Sequence, residues 1–296
     1  MASSARLAIG LPVYNGERFL EEALRSILDQ SFGDFELVVS DNASTDRTEA
    51  IVREVASRDP RMRYHRNAEN IGLTRNFNQV FSMARGELFK WAAGDDALLP
   101  GFLERCVRQL DARPDVVLAC TRARFLDDEG TAQQIADRGW SLMSPDPRER
   151  LRYVIDANHW VNSILGVIRT SALAQTGLLP EYPGGDYRLL AELSLQGKFY
   201  EDPEPLYLRR IHPRSSSQLA KDERQLAEYI SGQNGSVKLP TWSRTLDNFR
   251  VVWRSGLAPG EKIALCGSIA GTMRAQRSRL WREMIQGVTA FPRRTA

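Results

Sequence analysis

Leu88–Asp96 reads LFKWAAGDD, and the fold turns on this stretch. LFKWAA has the length and aromatic content of a buried strand, and it runs directly into Gly94-Asp95-Asp96. Two neighbouring carboxylates repel each other unless a cation or hydrogen-bond donors compensate. They are either a solvated turn leading into the next helix or oxygen ligands for Mg²⁺ or Mn²⁺. Open α/β sheets place ligand-binding groups at the carboxyl ends of their strands.

The same pattern recurs on both sides. Upstream, LAIGLPV (7–13) predicts a buried strand stopped by Tyr14-Asn15-Gly16. Phe19, Leu20, Ala23, Leu24, Ile27 and Leu28 then recur at helical spacing. FELVVS (35–40) predicts a second strand ending at Asp41-Asn42, and Asp46 with Glu49 is spaced as a capping box for a helix to about residue 57. MRYHR (62–66) predicts a third strand, followed by the turn Asn70-Ile71-Gly72 and a helix capped by Thr74 and ended by Gly86. Downstream, Pro100 opens a helix and VVLACT (116–121) is a fifth strand. Strands alternating with helices imply right-handed crossovers and a doubly wound, mainly parallel sheet. The strand ends Tyr14-Asn15, Asp41-Asn42 and Asp95-Asp96 should then meet at one cleft.

The rest of the chain is less regular. Residues 128–158 read as a long variable loop with one short helix, 160–170 as a strand, and 199–211 as extended chain. Gly184-Gly185-Asp186-Tyr187 puts a carboxylate at a helix start, either as a plain N-cap or as a general base. His212 follows Arg209 and Arg210 and precedes the serines Ser215–Ser217. Its imidazole is either structural or a metal ligand, and the arginines could hold a diphosphate. His65 and His159 read as structural.

The 296 residues carry 40 basic and 37 acidic side chains, a balance unlike that of a dedicated nucleic-acid binder. Cys106, Cys120 and Cys266 form no C-x-x-C pair, so buried thiols in a reducing cytoplasm fit better than disulfides or a zinc-thiolate site. MASSARLAIG does not read as a signal peptide. The longest weakly polar run, near Ile263–Met273, has about half the length a bilayer span needs.

Taken together, Leu11-Pro12-Val13-Tyr14-Asn15 with Glu17, then Val38–Asp46 (VVSDNASTD), Asn70-Ile71-Gly72 and Gly94-Asp95-Asp96 resemble the family 2 glycosyltransferases. The resemblance covers about residues 5–215 and is most specific before residue 125. It implies a GT-A fold, Rossmann-like, in a catalytic domain over 1–220. Residues 1–125 would be the nucleotide-sugar-binding half and 126–220 the acceptor-binding half. A helical basic extension would follow over 221–296. It further implies a UDP-, dTDP- or GDP-linked sugar donor, a Mn²⁺ or Mg²⁺ ion, a glycan or lipid-linked acceptor, and inversion at the anomeric carbon.

Carried over by position, Pro12, Tyr14 and Glu17 line the nucleotide pocket together with Asn70. Asp41 reads the base, Asp95 contacts the ribose, and Asp96 and His212 meet the metal. Arg209 and Arg210 face the diphosphate, and Asp186 is the base that deprotonates the acceptor hydroxyl. The family often has Glu-Asp where this chain has Gly185-Asp186. The competing readings are a nucleotide-binding subunit without turnover and a sugar-phosphate nucleotidyltransferase. The latter usually carries a glycine-rich phosphate loop after the first strand, where this chain has Pro12-Val13-Tyr14-Asn15. A dehydrogenase is disfavoured because no G-x-G-x-x-G follows a strand. By family analogy the setting is cell-surface glycan or polysaccharide assembly.

In MRAQRSRLWREMIQG (273–287), Met273, Leu280, Trp281, Met284 and Ile285 recur at helical spacing, and Arg274, Arg277, Arg279 and Arg282, with Arg293 and Arg294 beyond, face one acid, Glu283. Residues 273–294 read either as a helix lying on the inner face of an anionic membrane or as one packed on the core or a partner chain. A homo-oligomer is left open.

Overall fold

The computed structural model describes residues 5–135, 141–156, 162–219, 225–226, 229–230 and 239–289. The first half follows the predicted alternation: β1 (Leu7–Val13), α1 (Leu20–Leu28), β2 (Phe35–Asp41), α2 (Thr48–Ala56), β3 (Met62–Arg66), α3 (Leu73–Met83) and β4 (Leu88–Trp91). After the short β5 (Ala97–Leu98) come α4 (Phe102–Ala112), β6 (Val116–Leu126), β7 (Ala132–Ile135) and α5 (Pro147–Asp156). β8 (Val167–Arg169), α6 (Thr170–Leu173), α7 (Gly185–Gln196), β9 (Lys198–Arg210) and α8 (Ser216–Leu219) follow. The chain closes on α9 (Pro240–Arg254), α10 (Pro259–Ala275) and α11 (Arg277–Thr289).

Among the described residues the strands form one sheet in the order β3-β2-β1-β4-β8-β6-β9-β5, with β7 paired to β6. Its first half is parallel throughout, β3 on β2, β2 on β1 and β1 on β4. The second half is mixed. β8 runs antiparallel between β4 and β6, β9 is parallel to β6, and β5 is antiparallel to β9. Two apolar cores cover the two faces. One packs α1 and α4 against Leu7, Ile9, Leu11 and Val39, and the other packs α7, α9 and α10 against Phe89, Trp91 and Leu118.

Several predicted boundaries move. α2 begins at Thr48, and Glu49 turns to Arg53 and Arg66, so no capping box closes; Asp46 accepts the Thr48 N–H instead. Thr74 lies inside α3, whose N-cap is Gly72 at φ 88°, a conformation that favours glycine. β4 stops at Trp91, and β6 runs on to Leu126. The strand expected over 160–170 is a 3₁₀ turn at Ser163–Leu165 followed by β8. Trp160 and His159 lie outside the described residues.

The basic C-terminal segment predicted as one helix is two, broken at Gln276. One face packs inward. Glu283 is buried, and its carboxylate accepts the N–H of Thr241 at 3.0 Å and of Trp242 at 3.3 Å. An anion at the amino end of α9 satisfies donors that the helix itself leaves unpaired. The other face stays out, with Trp281 61% exposed. Among the described residues no helix is long and apolar enough to cross a membrane.

Lys90 is the odd member of the core. It is fully buried on β4, and its ammonium donates to the carbonyls of Trp91 at 3.1 Å and of Leu165. The rings of Phe102 and Tyr207 lie 4.8 and 5.4 Å from Nζ. Burial lowers its pKa to about 8, against 10.5 ordinarily. The unfolded chain therefore binds more protons between about pH 8 and 10.5. The buried charge opposes folding fully below the folded value, and the opposition is relieved as pH rises to 10.5. Replacing Lys90→Met should flatten the rise of thermal stability across that window, as read by melting temperature against pH in both proteins.

Candidate active site

The strand ends do converge, and hydrogen bonds between their loops hold them together. After β1, the Asn15 N–H donates to Ser44 Oγ at 2.9 Å, and Asn15 Oδ1 accepts the Thr45 N–H at 2.8 Å. The Gly16 N–H reaches Thr48 Oγ1 at 2.9 Å, and Glu17 accepts the Arg47 N–H at 3.1 Å. The residues from Ser44 to Thr48 thus tie the β2–α2 connection to the approach to α1. Pro12 is buried in β1 opposite Ser40, whereas Tyr14 projects outward, 43% exposed.

Asp41 is fully buried, and its two oxygens accept the Ser44 N–H at 2.9 Å and the Tyr64 hydroxyl at 2.7 Å. Burial and that carboxylate push the Tyr64 phenol well up. Beside it Asn42, Asn67 and Asn70 form an amide network. Asn42 donates to Asn70 at 2.7 Å and accepts from Asn67 and from the Ile71 N–H. Asn70 in turn accepts the Gly72 N–H, which fixes the turn before α3.

The two aspartates at the end of β4 have unlike surroundings. Asp96 accepts the Tyr207 hydroxyl at 2.5 Å and the Arg210 N–H at 2.8 Å, both from β9. Burial, then the Asp95 charge, raise its pKa to about 7. Asp95 instead meets His212, whose Nε2 lies 3.0 Å from Oδ2. The His212 ring also packs on Phe19 of the α1 approach, with ring centroids 5.1 Å apart. The carboxylate turned toward the imidazole is thus Asp95, while Asp96 is engaged by β9.

Arg210 is nearly buried and acts as a clamp. Its Nε donates to the Asp95 carbonyl at 3.1 Å and its terminal nitrogen to Glu22 at 2.7 Å, and its guanidinium lies over the Phe19 ring at 4.5 Å. It ties β9, the β4 end and α1 together, so its fork faces protein rather than a diphosphate. Arg209, the neighbour on the other side of the strand, donates to Asn162, and its charge reaches both Asp96 and Asp186. Tyr229, from beyond β9, also lies within reach of the charges of Asp95 and Asp96. Tyr207, Tyr229, Lys90 and Glu22 were not singled out in the sequence.

Asp186 stands in the first turn of α7, after Gly184 in the left-handed region at φ 82°. Burial raises its pKa, opposed by the Tyr187 N–H and by the charges of Arg244 and Arg209. A carboxyl held upward in this way is suited to take a proton. The glycine before it has a steric reason. A Cβ on Gly185 would sit 2.7 Å from the Pro180 carbonyl, so the turn leaves no room for a glutamate.

Among the described residues no group of three or more His, Cys, Asp or Glu side chains could hold a metal ion. Asp95 and His212 together offer one carboxylate and one imidazole. That suits a hard cation completed by phosphate oxygens, since Mg²⁺-type sites commonly use one or two carboxylates plus substrate phosphates.

Truncating the clamp, Arg210→Ala, should cost about 2–3 kcal/mol because the Asp95 carbonyl and Glu22 lose their guanidinium donor and the Phe19 ring loses its cover. Arg209→Ala, which leaves the clamp intact, should cost less. Urea denaturation of the two variants checks the order.

A family model, Glycosyl transferase family 2, matches residues 8–177. An uncharacterised protein of Mycobacterium tuberculosis is 34% identical over 162 residues, covering 55% of this chain and 47% of its own. The chondroitin synthase of Escherichia coli is 27% identical over 215 residues, covering 71% of this chain and 30% of its own. A Campylobacter jejuni protein named GalNAc(5)-diNAcBac-PP-undecaprenol beta-1,3-glucosyltransferase is 33% identical over 105 residues, 35% of this chain and 34% of its own. The chain thus spans half or less of the length of these relatives. Among solved structures, S. aureus TarS 1-349 in complex with UDP-GlcNAc superposes with a TM-score of 0.69 at 16% identity, covering 97% of this chain and 82% of that one. The mannosyltransferase PcManGT from Pyrobaculum calidifontis, in complex with GDP-Man and Mn²⁺, gives 0.56 at 17% identity, covering 97% and 81%. These neighbours share the α/β GT-A architecture, and the chain belongs to glycosyl transferase family 2.

Proposed function

We propose that this protein transfers a sugar from a nucleotide-sugar donor to an acceptor hydroxyl, with inversion at the anomeric carbon and with Mn²⁺ or Mg²⁺ at the diphosphate. The observation that carries this reading is the Asp95–His212 contact, 3.0 Å, which joins the end of β4 to the chain just past β9. The roles of the two aspartates are exchanged relative to the sequence expectation. Asp95 and His212 are the candidate ligands, and Asp96 positions β9 beneath them through Tyr207 and Arg210. When bound, the cation would neutralise charge growing on the departing diphosphate.

The chain's own residues do the rest. The loop carrying Tyr14 and Glu17 and the amide network around Asn70 form the nucleotide side of the cleft, with Asp41 as its buried support. Arg209 is the cation placed to favour an anionic leaving group. The acceptor hydroxyl attacks the anomeric carbon from the face opposite the nucleoside diphosphate, the glycosidic bond to phosphate breaks, and Asp186 takes the hydroxyl proton. The TarS and PcManGT complexes, which hold UDP-GlcNAc and GDP-Man, support a nucleotide-linked donor. The Campylobacter relative, named for an undecaprenol-linked acceptor, supports a lipid-linked glycan acceptor and polysaccharide assembly.

Contact with the membrane follows from the same reading. α11 buries Leu280 and Glu283 and presents Trp281 and Ile285 outward, with Arg277 and Arg282 exposed on the flanks of that stripe. Aromatic and aliphatic groups flanked by arginines suit the interface of an anionic bilayer. Sedimentation with phosphatidylglycerol vesicles at low salt should retain the protein, and release it in high salt. Equal sedimentation with phosphatidylcholine vesicles would count against this contact.

Donor choice is measurable by thermal shift across UDP-, dTDP- and GDP-sugars. With the donor so found, Asp186→Asn should lower turnover by a factor of about 10²–10⁴ while nucleotide binding persists. Unchanged turnover in that variant would remove Asp186 from the reaction, and a wild-type protein that binds nucleotide without turnover would leave a binding subunit.

A further inference from the structure

The helices after residue 239 look like an appendix to the sheet, yet one of them reaches the catalytic half at its most sensitive point. Tyr182 and Arg188 flank Asp186 in sequence, and both bind Asp247 of α9. The Tyr182 hydroxyl donates to Asp247 Oδ2 at 2.7 Å, and the Arg188 guanidinium lies 3.5 Å from the same oxygen. Asp247 is buried, and its other oxygen accepts from Arg250 at 2.7 Å. This anchor fixes the rotation of α9. One turn earlier on the same face stands Arg244, its guanidinium over the Tyr187 ring, 4.1 Å from the centroid. It also donates to the Ile155 carbonyl of α5 at 3.4 Å.

We propose that Arg244, stacked on Tyr187, is a positioning residue for Asp186, so that the C-terminal helix completes the transfer site. Tyr187 is the residue whose backbone N–H donates to Asp186 Oδ1, at 3.1 Å. Holding its ring fixes the first turn of α7 and with it the carboxylate. The inference rests on Asp186 being the proton acceptor.

The charge matters as well as the stack. The groups facing Asp186 are Tyr187 on its own helix, Arg209 from β9 and Arg244 from α9. Arg279 of α11 faces Arg244 in turn, and Tyr182 lies near it. Burial favours the neutral acid, and Arg209 and Arg244 oppose that. An arginine keeps its charge in such surroundings where a lysine could lose it. Removing the Arg244 charge leaves only the Tyr187 N–H and Arg209 against burial, and Asp186 then holds its proton to higher pH. The acid limb of turnover moves up with it, because a protonated carboxyl cannot accept the hydroxyl proton.

The test is a carboxyl ¹³C NMR titration of aspartate-labelled protein, with the Asp186 resonance assigned by its loss in Asp186→Asn. Arg244→Gln keeps much of the stem and can still donate to Ile155, so the helix should remain docked. Its Asp186 midpoint should rise by about one unit. Arg244→Lys should return the midpoint toward wild type at neutral pH. UDP affinity should hold steady in both variants. A midpoint in Arg244→Gln that coincides with wild type overturns the inference. Should Arg244→Gln fail to fold, the same comparison is made on Arg244→Met, which keeps the apolar stem and removes the charge. There too a midpoint that coincides with wild type overturns the inference. Asp186→Asn separates the layers. Undiminished turnover in that variant rejects Asp186 as the base, whereas loss of turnover with an unmoved midpoint in Arg244→Gln rejects the role of Arg244 alone.

Discussion

The structure depends on how two neighbouring carboxylates are kept at the end of one buried strand. Asp95 and Asp96 follow β4 after only Ala92, Ala93 and Gly94, and the Asp95 charge raises the cost of charging Asp96. The chain solves this by pairing β9 with β5, the short strand directly after Asp96. Tyr207 and the Arg210 N–H take Asp96, and His212 takes Asp95. Arg210 then reaches across to Glu22 and locks α1 to the arrangement. Compensation that comes from so far along the chain makes the site a product of the whole sheet. It is also why the parallel half alone would not hold it.

The rest of the cleft is built by the same economy of loop donors. Asn15, Gly16 and Glu17 are satisfied by the residues between Ser44 and Thr48, and Asn42, Asn67 and Asn70 satisfy one another. Polar residues that read as ligand contacts in the sequence therefore divide. Some, such as Asp41, are turned to protein donors and support the cleft; others, such as Tyr14, project from it.

Legibility in the sequence followed the range of the interaction. The elements from β1 to α4, apart from the two-residue β5, could be read because their periodicity and turn residues are local. Asp186 at a helix start could be read because Gly184-Gly185 breaks the chain just before it. β8 could not be delimited, since three residues between two antiparallel partners leave no pattern of their own. Which aspartate faces His212 was equally out of reach, because it depends on the register that brings Tyr207 opposite Leu98 and Arg210 opposite Leu126. Glu283, counted in the sequence as the one acid of a basic tail, proved to be the cap of another helix. Lys90 read as one polar residue in an apolar strand, and nothing local told that two carbonyls and two rings would receive it.

The most direct measurement of the central claim is calorimetric binding of the preferred nucleoside diphosphate with and without Mn²⁺, in wild type and in Asp95→Ala. The account predicts that Mn²⁺ tightens binding to wild type and that Asp95→Ala abolishes that gain while leaving the metal-free affinity near its original value. Affinity indifferent to Mn²⁺ in wild type, or a full gain retained in Asp95→Ala, would contradict it.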